Sequence, residues 1–232
     1  MPGSGSVGPS GRSVTNSNVH QVPALGRRTV KPMSGYPIMQ DVCAKRAAIL
    51  SGMADRLPTP PTFEEFEAWA GTGRVQRATE PDLAAWRLPE AQKNALMLSG
   101  VPMFEELVSG VSLRATPTMY QLAYLREGNE PIWDYGAVPD TGEVREWPPD
   151  GRQSRFANST INHWLCSLNL AGSWFTHSSV IHRWDEEGDA EEQALAEIDA
   201  LLDQIGAIDP AAIGDGSHET HFWPAVLGRW LY

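Results

Sequence analysis

Histidine is the residue type whose spacing most suggests chemistry in this sequence. Five of the six histidines lie in the last third of the chain, and His218 and His221 are three residues apart. That spacing allows two imidazoles to share one zinc or iron ion, with His177 and His182 as further ligands. The segment His218-Glu219-Thr220-His221 lacks the HExxH spacing of zinc proteases. We therefore expect no metal site and keep these four histidines as the alternative, since histidines also cap helices or lie on surfaces.

Catalytic and cofactor-binding motifs are missing from the sequence. It contains no GxxxxGK[ST] phosphate loop and no GxSxG nucleophile elbow, and its one GxGxxG match, Gly3 to Gly8, lies in the N-terminal tail without a predicted strand before it or a helix after it. The acidic residues near position 190 do not form a defined general acid–base pair, and acids at the start of a helix are stabilised by its dipole. We predict a protein that is not an enzyme and that needs no cofactor.

Charge is distributed unevenly along the chain. The formal net charge is −11, yet the first forty residues carry four basic residues and no acid, so the remainder carries −15. Because nucleic-acid affinity rests largely on Lys and Arg at phosphates, we expect no nucleic-acid partner. An acidic body attracts basic proteins and speeds their association. The alternative is that acidity only keeps the chain soluble.

Cysteine usage and hydropathy indicate the cellular compartment. Cys43 and Cys166 are the two cysteines, and a disulfide between them can be neither predicted nor excluded from the sequence. No apolar run reaches the roughly 18–20 residues of a membrane-spanning helix. The first residues are rich in Gly, Ser and Pro and lack the apolar segment of a signal peptide. We expect a cytoplasmic protein without a membrane partner.

The composition changes near residue 36. Residues 1–35 contain too few apolar side chains to offset the entropy lost on ordering, which predicts a disordered N-terminal tail. Residues 36–232 are predicted to form one domain. Its first element is an amphipathic helix over 38–56, and a capping box of Thr62 and Glu65 starts a second, short helix.

After residue 80 the sequence predicts a helix, then a group of strands, then further helices. A helix is predicted over 81–100, strands over 119–125 and 132–135, and a hairpin at Asp140-Thr141-Gly142. The Pro148-Pro149 pair is expected to end the sheet. Helices follow, because apolar residues recur at i, i+3, i+4 and i+7.

The boundaries of these later helices are also predicted. Asn158 or Ser159 is expected to cap the first of them, and Gly206 to end the acidic one. The order of helices, strands and helices predicts an α+β fold.

Three short segments between residues 100 and 160 form a recognisable pattern. They are Gly100-Val101-Pro102, Asp140-Thr141-Gly142-Glu143-Val144 and Phe156-Ala157-Asn158-Ser159-Thr160. In their order they resemble the glycine-x-proline before the sheet, the hairpin and the run into a helix of the SUKH superfamily of bacterial toxin-immunity proteins, in particular its fourth subgroup. The resemblance implies a mixed, mainly antiparallel sheet flanked by helices, no cofactor, and binding and neutralisation of a toxin, often a nuclease or a nucleic-acid deaminase.

Partner-binding residues are predicted at two places, since tight binding needs a few aromatic or charged anchors. They are Trp133, Asp134, Tyr135 and Asp140 around the hairpin, and Trp184, Asp185, Glu186 and Glu187 before the acidic helix. Core packing is the alternative for the hairpin aromatics, and a solvated surface is the alternative for the acidic run.

Two other functions remain open at this point. The fold could have been recruited as an enzyme or accessory factor in a bacterial biosynthetic pathway, using the His- and Trp-rich C-terminal half. It could also be a scaffold with a tryptophan-lined pocket for a small molecule. The sequence leaves open whether the protein is a monomer or a homodimer.

Overall fold

The computed structural model describes residues 57–181, residue 183 and residues 188–228. The predicted tail over 1–35 and the predicted helix over 38–56 lie outside these residues, so both stay predictions, as does the single domain over 36–232. Five residues predicted for the partner site or the metal alternative also lie outside: His182, Trp184, Asp185, Glu186 and Glu187.

Helices flank a central block of strands, with bounds as follows. The helices are α1 (Phe63–Ala70), α2 (Glu80–Leu83), α3 (Glu90–Leu98), α4 (Ile161–His177), α5 (Gly188–Ile208), α6 (Pro210–Ile213) and α7 (Phe222–Leu227). The strands are β1 (Val75–Gln76), β2 (Val101–Pro102), β3 (Gly110–Ala115), β4 (Tyr120–Glu127), β5 (Glu130–Ala137), β6 (Val144–Trp147) and β7 (Arg155–Asn158).

The main sheet has five strands in the order β3-β4-β5-β6-β7, and every neighbouring pair is antiparallel. Strands β1 and β2 form a separate antiparallel pair. A single parallel bridge joins Phe156 to His221 beside β7. The predicted α+β class with a mainly antiparallel sheet is confirmed.

At two places the structure contains the element that the local sequence predicted. Thr62 Oγ1 accepts from the Glu65 N–H, and the Glu65 carboxylate accepts from the Thr62 N–H, so the predicted capping box starts α1. The hairpin joins β5 to β6, and its turn has positive φ at Asp140 (70°) and Gly142 (73°). Asp tolerates this left-handed conformation better than most residues, and Gly adopts it without strain.

A buried glutamine holds this hairpin against the helices. Gln92, on α3, donates to the Thr141 carbonyl at 2.9 Å and accepts from the Ile161 N–H at 3.0 Å. A Cβ atom at Gly142 would overlap the Gln92 side chain. One amide therefore connects the turn to the first residue of α4, and the hairpin requires glycine for space as well as for conformation.

Helix predictions that rested on single residues needed correction. The helix predicted over 81–100 is two helices, α2 and α3, because Pro89 cannot continue a helix and stands at the start of α3. The cap of α4 is Thr160, whose Oγ1 accepts from the His163 N–H, and not Asn158 or Ser159. Gly206 lies inside α5, which continues to Ile208.

The sheet does not end at Pro148-Pro149, as was predicted. These prolines terminate β6 at Trp147, but the following loop reverses the chain, and β7 pairs with β6. The Phe156 N–H then donates to the Thr220 carbonyl at 2.8 Å, so the outer edge of β7 is bonded to the segment before α7.

Aromatic side chains dominate the contact between the sheet and the helices. The Tyr135 ring of β5 lies 5.4 Å from that of Trp164 on α4 and 5.3 Å from that of Phe222 on α7. Tyr135, Trp164, Phe222 and Trp223 are fully buried. Buried aromatic side chains of this size remove on the order of 150–250 Å² each from water, which makes this face the main core.

A buried polar network fixes the helices at the edge of β7. The Asp209 carboxylate, before α6, accepts from the Ser159 N–H (2.7 Å), the Ser159 hydroxyl (2.8 Å) and the Asn158 amide (3.2 Å). The same Asn158 amide donates to Ser167 on α4, and Asn158 Oδ1 accepts from the Trp223 indole at 3.0 Å. Because Asn158 and Asp209 are buried, these partners replace water.

Replacing Asn158 with alanine should reduce the free energy of unfolding by about 1–3 kcal/mol, since it leaves the Trp223 indole N–H and part of the Asp209 carboxylate unpaired. Urea denaturation measures this. The control is Asn94→Ala, at an exposed position of α3, which should change the free energy of unfolding by less than about 0.5 kcal/mol. Equal effects of the two variants would contradict the role given to the network.

Stability should also fall in mild acid because of His163. Burial lowers the pKa of His163 from its ordinary 6.5, and the nearby Asp209 carboxylate only partly opposes this. The unfolded chain therefore takes up the proton at a higher pH than the folded one, so stability is lost as the pH falls through about 6.5 towards the folded pKa. Urea denaturation at several values from about pH 7.5 to about pH 5 should show a smaller loss for His163→Gln than for the unchanged protein.

Candidate partner-binding site

The predicted site residues of β5 point to opposite faces of the sheet. Trp133 and Tyr135 contact Phe222 of α7 through their rings, at 5.6 Å and 5.3 Å, so their side chains lie on the helix-covered face. Successive residues of a strand alternate between faces. Asp134 therefore points to the other face, away from these helices.

The two aromatic residues are part of the core to different degrees. Tyr135 is fully buried, and its hydroxyl donates to the Leu107 carbonyl at 3.2 Å. Burial raises the pKa of Tyr135 well above its ordinary value, with a smaller contribution from Glu146, so the phenol stays neutral. Trp133 is half-buried and packs against the same cluster. The alternative of core packing thus describes Tyr135, whose side chain has no exposed surface to offer a partner.

Asp134 lies in a row of side chains across three strands. It stands directly opposite Tyr124 on β4 and Trp147 on β6, and residues directly opposite one another share a face. All three side chains are half-buried, and none belongs to the core cluster. The Tyr124 ring extends over Gly110 of β3, where a Cβ atom would overlap it. We call Tyr124, Asp134 and Trp147 the outward row.

Asp140 is exposed at the hairpin turn and already has a partner. Its carboxylate forms a two-point ion pair with the Arg87 guanidinium, at 3.0 Å and 3.1 Å, and its N–H donates to the Arg87 carbonyl. Both side chains are about two-thirds exposed (66% and 70%), so water and salt screen the pair. Asp140 is accessible to a partner protein, which would have to compete with Arg87.

A buried ion pair lies at the edge of the helix-covered face. Glu146 on β6 and Arg155 on β7 are directly opposite, and two hydrogen bonds of 2.8 Å and 3.0 Å join them. Both residues are buried, and with His218 they line a cavity of about 340 Å³. Since neither charge can be removed without leaving the other unpaired, the pair fixes the register of β7 on β6.

The three histidines of the metal alternative that the structure describes lie in different places. His177 ends α4, His218 borders the cavity of Glu146, and His221 lies over Gly214, 3.6 Å from the Asp215 carboxylate. Within residues 57–181, 183 and 188–228, no three His, Cys, Asp or Glu side chains are placed to hold one metal ion.

A cleft of about 650 Å³ lies between α1 and α4 and contains a serine near a histidine. Ser173 Oγ is 3.4 Å from His177 Nδ1, but that nitrogen is only 2.7 Å from the Ser173 carbonyl oxygen. A carbonyl only accepts, so Nδ1 carries a proton and cannot take one from the hydroxyl. Trp69, also in this cleft, donates to Asn169. The pair is not an activated nucleophile.

Cys166 of α4 is a free thiol of low reactivity. Its Sγ contacts the Thr59 carbonyl at 3.5 Å, and burial raises its pKa to about 11, so the thiolate is scarce at neutral pH. Cys43, the other cysteine, lies outside the described residues.

Comparison with known proteins identifies the family. A family model described as SUKH-4 immunity protein matches residues 61–229. This chain belongs to the SUKH-4 immunity protein family. The match runs from the residue before Thr62, the cap of α1, past the end of α7, so it includes the sheet, the Asn158 network and the outward row. No curated protein and no solved structure gave a significant match to this SUKH-4 chain.

Two residues of the outward row, Tyr124 and Trp147, were not predicted as site residues. Trp147 could not be found by pairing residues outward from the turn at 140–142, because that count places Asp134 opposite Pro148, whereas the strands pair Ala137 with Val144 and therefore Asp134 with Trp147. Tyr124 could not be found by counting from the β4–β5 turn either, because the register of these strands shifts by one residue between Leu125 and Arg126, which lie between that turn and Tyr124.

The described helices also bear on the membrane prediction. None of those within residues 57–181, 183 and 188–228 combines the length and the apolar character required to cross a bilayer.

Replacing Asp140 with glycine should leave the free energy of unfolding within about 1 kcal/mol of the unchanged protein. The loss of the exposed ion pair lowers the free energy of unfolding, and the relief of strain at a positive φ raises it by a similar amount. Asp140→Ala keeps the strain and loses the ion pair, so it should be the less stable of the two variants. Thermal and urea denaturation of both compare them, and the reverse order would contradict this account of the turn.

Proposed function

We propose that this SUKH-4 protein binds one cognate toxin in the cytoplasm of the cell that produces it and neutralises the toxin by covering its active site. The observation that carries the proposal is the family match over residues 61–229. Neutralisation by binding needs a specific surface and no chemistry of its own. A protein of this kind acts without being an enzyme.

The charge of the surface favours a basic toxin. Helix α5 contains no Lys or Arg, and its exposed side chains include Glu191, Glu192, Asp199 and Asp203. We call these four residues the α5 acidic face. Like-signed charges on one face add to a field that extends about a Debye length, roughly 8–10 Å at physiological salt. Nucleases and nucleic-acid deaminases bind phosphate backbones through basic surfaces, so they are the toxin classes that such a field attracts.

Trp133 lies on the helix-covered face of the sheet. The proposal therefore places the contact on the outward face of β5 and β6 and on their hairpin turn, where Asp134 is half-buried and Asp140 is exposed. The α5 acidic face then contributes attraction over a distance, and these residues contribute the close contact. Interfaces of high affinity combine a few desolvated anchors with weaker surrounding contacts, which agrees with a site of this composition.

The direct experiment is to express the protein together with the toxin that is encoded beside its gene. Cells producing the toxin alone should stop growing, cells producing both should grow, and the two proteins should co-elute on size-exclusion chromatography. Survival without co-elution would contradict neutralisation by binding. Failure to protect cells from every neighbouring toxin would contradict the proposed function.

Neutralising the α5 acidic face should slow toxin association about tenfold or more at low ionic strength and change the dissociation rate less than about twofold. The variant is Glu191→Gln, Glu192→Gln, Asp199→Asn and Asp203→Asn, measured by stopped-flow or surface plasmon resonance. The matched control removes four exposed acids elsewhere: Glu64→Gln, Glu80→Gln, Glu105→Gln and Glu127→Gln. Equal slowing by both sets would show that net charge matters and the position on α5 does not.

A further inference from the structure

Asp134 differs from the other acids whose surroundings the structure describes. Glu146 is paired with Arg155, Asp140 with Arg87, and Asp209 with the Asn158 network. Asp134 is the one acidic residue within the described part of the chain that has a solvent-excluded side-chain oxygen, Oδ1, with no hydrogen-bond partner. A buried carboxylate oxygen without a partner is unfavourable, because nothing replaces its lost hydration.

The surroundings of Asp134 suit one kind of partner group. Trp147 stands opposite it on β6 and Tyr124 on β4, but the Tyr124 ring leans away over Gly110 of β3, so a group that reaches the carboxylate passes beside the Trp147 side chain. The Tyr124 ring already has a guanidinium stacked on it, since Arg126 Cζ lies 4.7 Å from its centroid. No described cation lies on the Trp147 ring. Arginine combines a flat, stackable surface with paired N–H donors that match a carboxylate.

We propose that the outward row is the anchor site for one arginine side chain of the toxin, which pairs with Asp134 through Oδ2, the carboxylate oxygen that is not excluded from solvent, and stacks on Trp147. This inference rests on the proposed function, because it names the group by which the toxin is held. The opposite charges of the carboxylate and the guanidinium supply the complementarity, and the Trp147 ring covers one face of the guanidinium. Lysine fits less well, because its ammonium is a strongly hydrated point charge that cannot stack as a plane.

The row has the properties of an interface centre. Trp, Tyr and Arg are the residues that most often dominate binding energy, and they do so in partly enclosed positions. The row is held by strand pairing on both sides of β5, so its geometry exists before the partner arrives. A preformed acceptor loses little entropy on binding.

The decisive variant is Asp134→Asn, measured with the toxin that the protein neutralises. Its affinity for the toxin should fall by about 30-fold or more, because the arginine would be buried without its counter-charge. Its melting temperature should stay the same or rise, because a buried oxygen without a partner no longer carries charge. Asp150→Asn is the matched control: Asp150 is exposed and paired with Arg152, and this variant should bind within about twofold of the unchanged protein. Unchanged toxin affinity in Asp134→Asn, or a lowered melting temperature that accounts for the loss, would overturn the inference.

A second measurement needs no toxin. N-acetyl-arginine amide is titrated into the full-length protein, and the indole N–H signal of Trp147 is followed by NMR, assigned with a Trp147→Phe variant. The signal should move with the arginine compound and not with N-acetyl-citrulline amide, which has nearly the same shape and no charge. The shift should vanish in Asp134→Asn and persist in Asp150→Asn. No shift, or an equal shift in Asp134→Asn, would overturn the inference.

The two proposals fail separately. If cells are not protected from any neighbouring toxin and the arginine shift still depends on Asp134, the anchor site stands and the proposed function falls. If cells are protected and Asp134→Asn binds the toxin as well as the unchanged protein, the proposed function stands and the anchor site falls.

Discussion

The arrangement of this fold depends on the hydrogen bonds around Asn158 and Asp209. They join the end of β7 to α4, to the residue before α6 and to Trp223 of α7. Asn158 and Asp209 are buried, so water cannot substitute for a missing partner, and the network is satisfied only when all of these elements are in place. This requirement selects one packing of the helices against the sheet from the many that apolar contact alone would allow.

Once the helices occupy one face, the pleat of the strands decides what the other face presents. Tyr135 and the Glu146–Arg155 pair are committed to the interior. Tyr124, Asp134 and Trp147 are directed outwards by the same backbone hydrogen bonds. The proposed anchor site is therefore a product of strand register, and its precision comes from the sheet. The α5 acidic face is a separate feature, and the action proposed for it, through its electric field, tolerates looser placement.

The sequence predicted those parts of the fold that are encoded by neighbours along the chain. The capping box of Thr62 and Glu65, the Asp140–Gly142 turn and the apolar stripe of α4 are of this kind. The Asn158 network escaped prediction because its partners are up to 65 residues apart. The sequence predicts that Asn158 or Ser159 caps the helix, since that is what a short polar residue before an apolar stripe ordinarily does. For the site, Asp134 and Tyr135 were both predicted as binding residues. Only the position of α7, which covers one face of the sheet, shows that Tyr135 is buried and that Asp134 points outward.

Alternation along β5 lets one strand obey two independent sets of requirements. Its inward positions must conserve volume and polarity, because they meet aromatic rings of the core. Its outward positions are limited only by their strand propensity and by what they contact outside the protein. Recognition can thus diversify without any change to the scaffold: exchanging Asp134 for a residue of another charge or size redefines the preferred target and leaves the interior untouched.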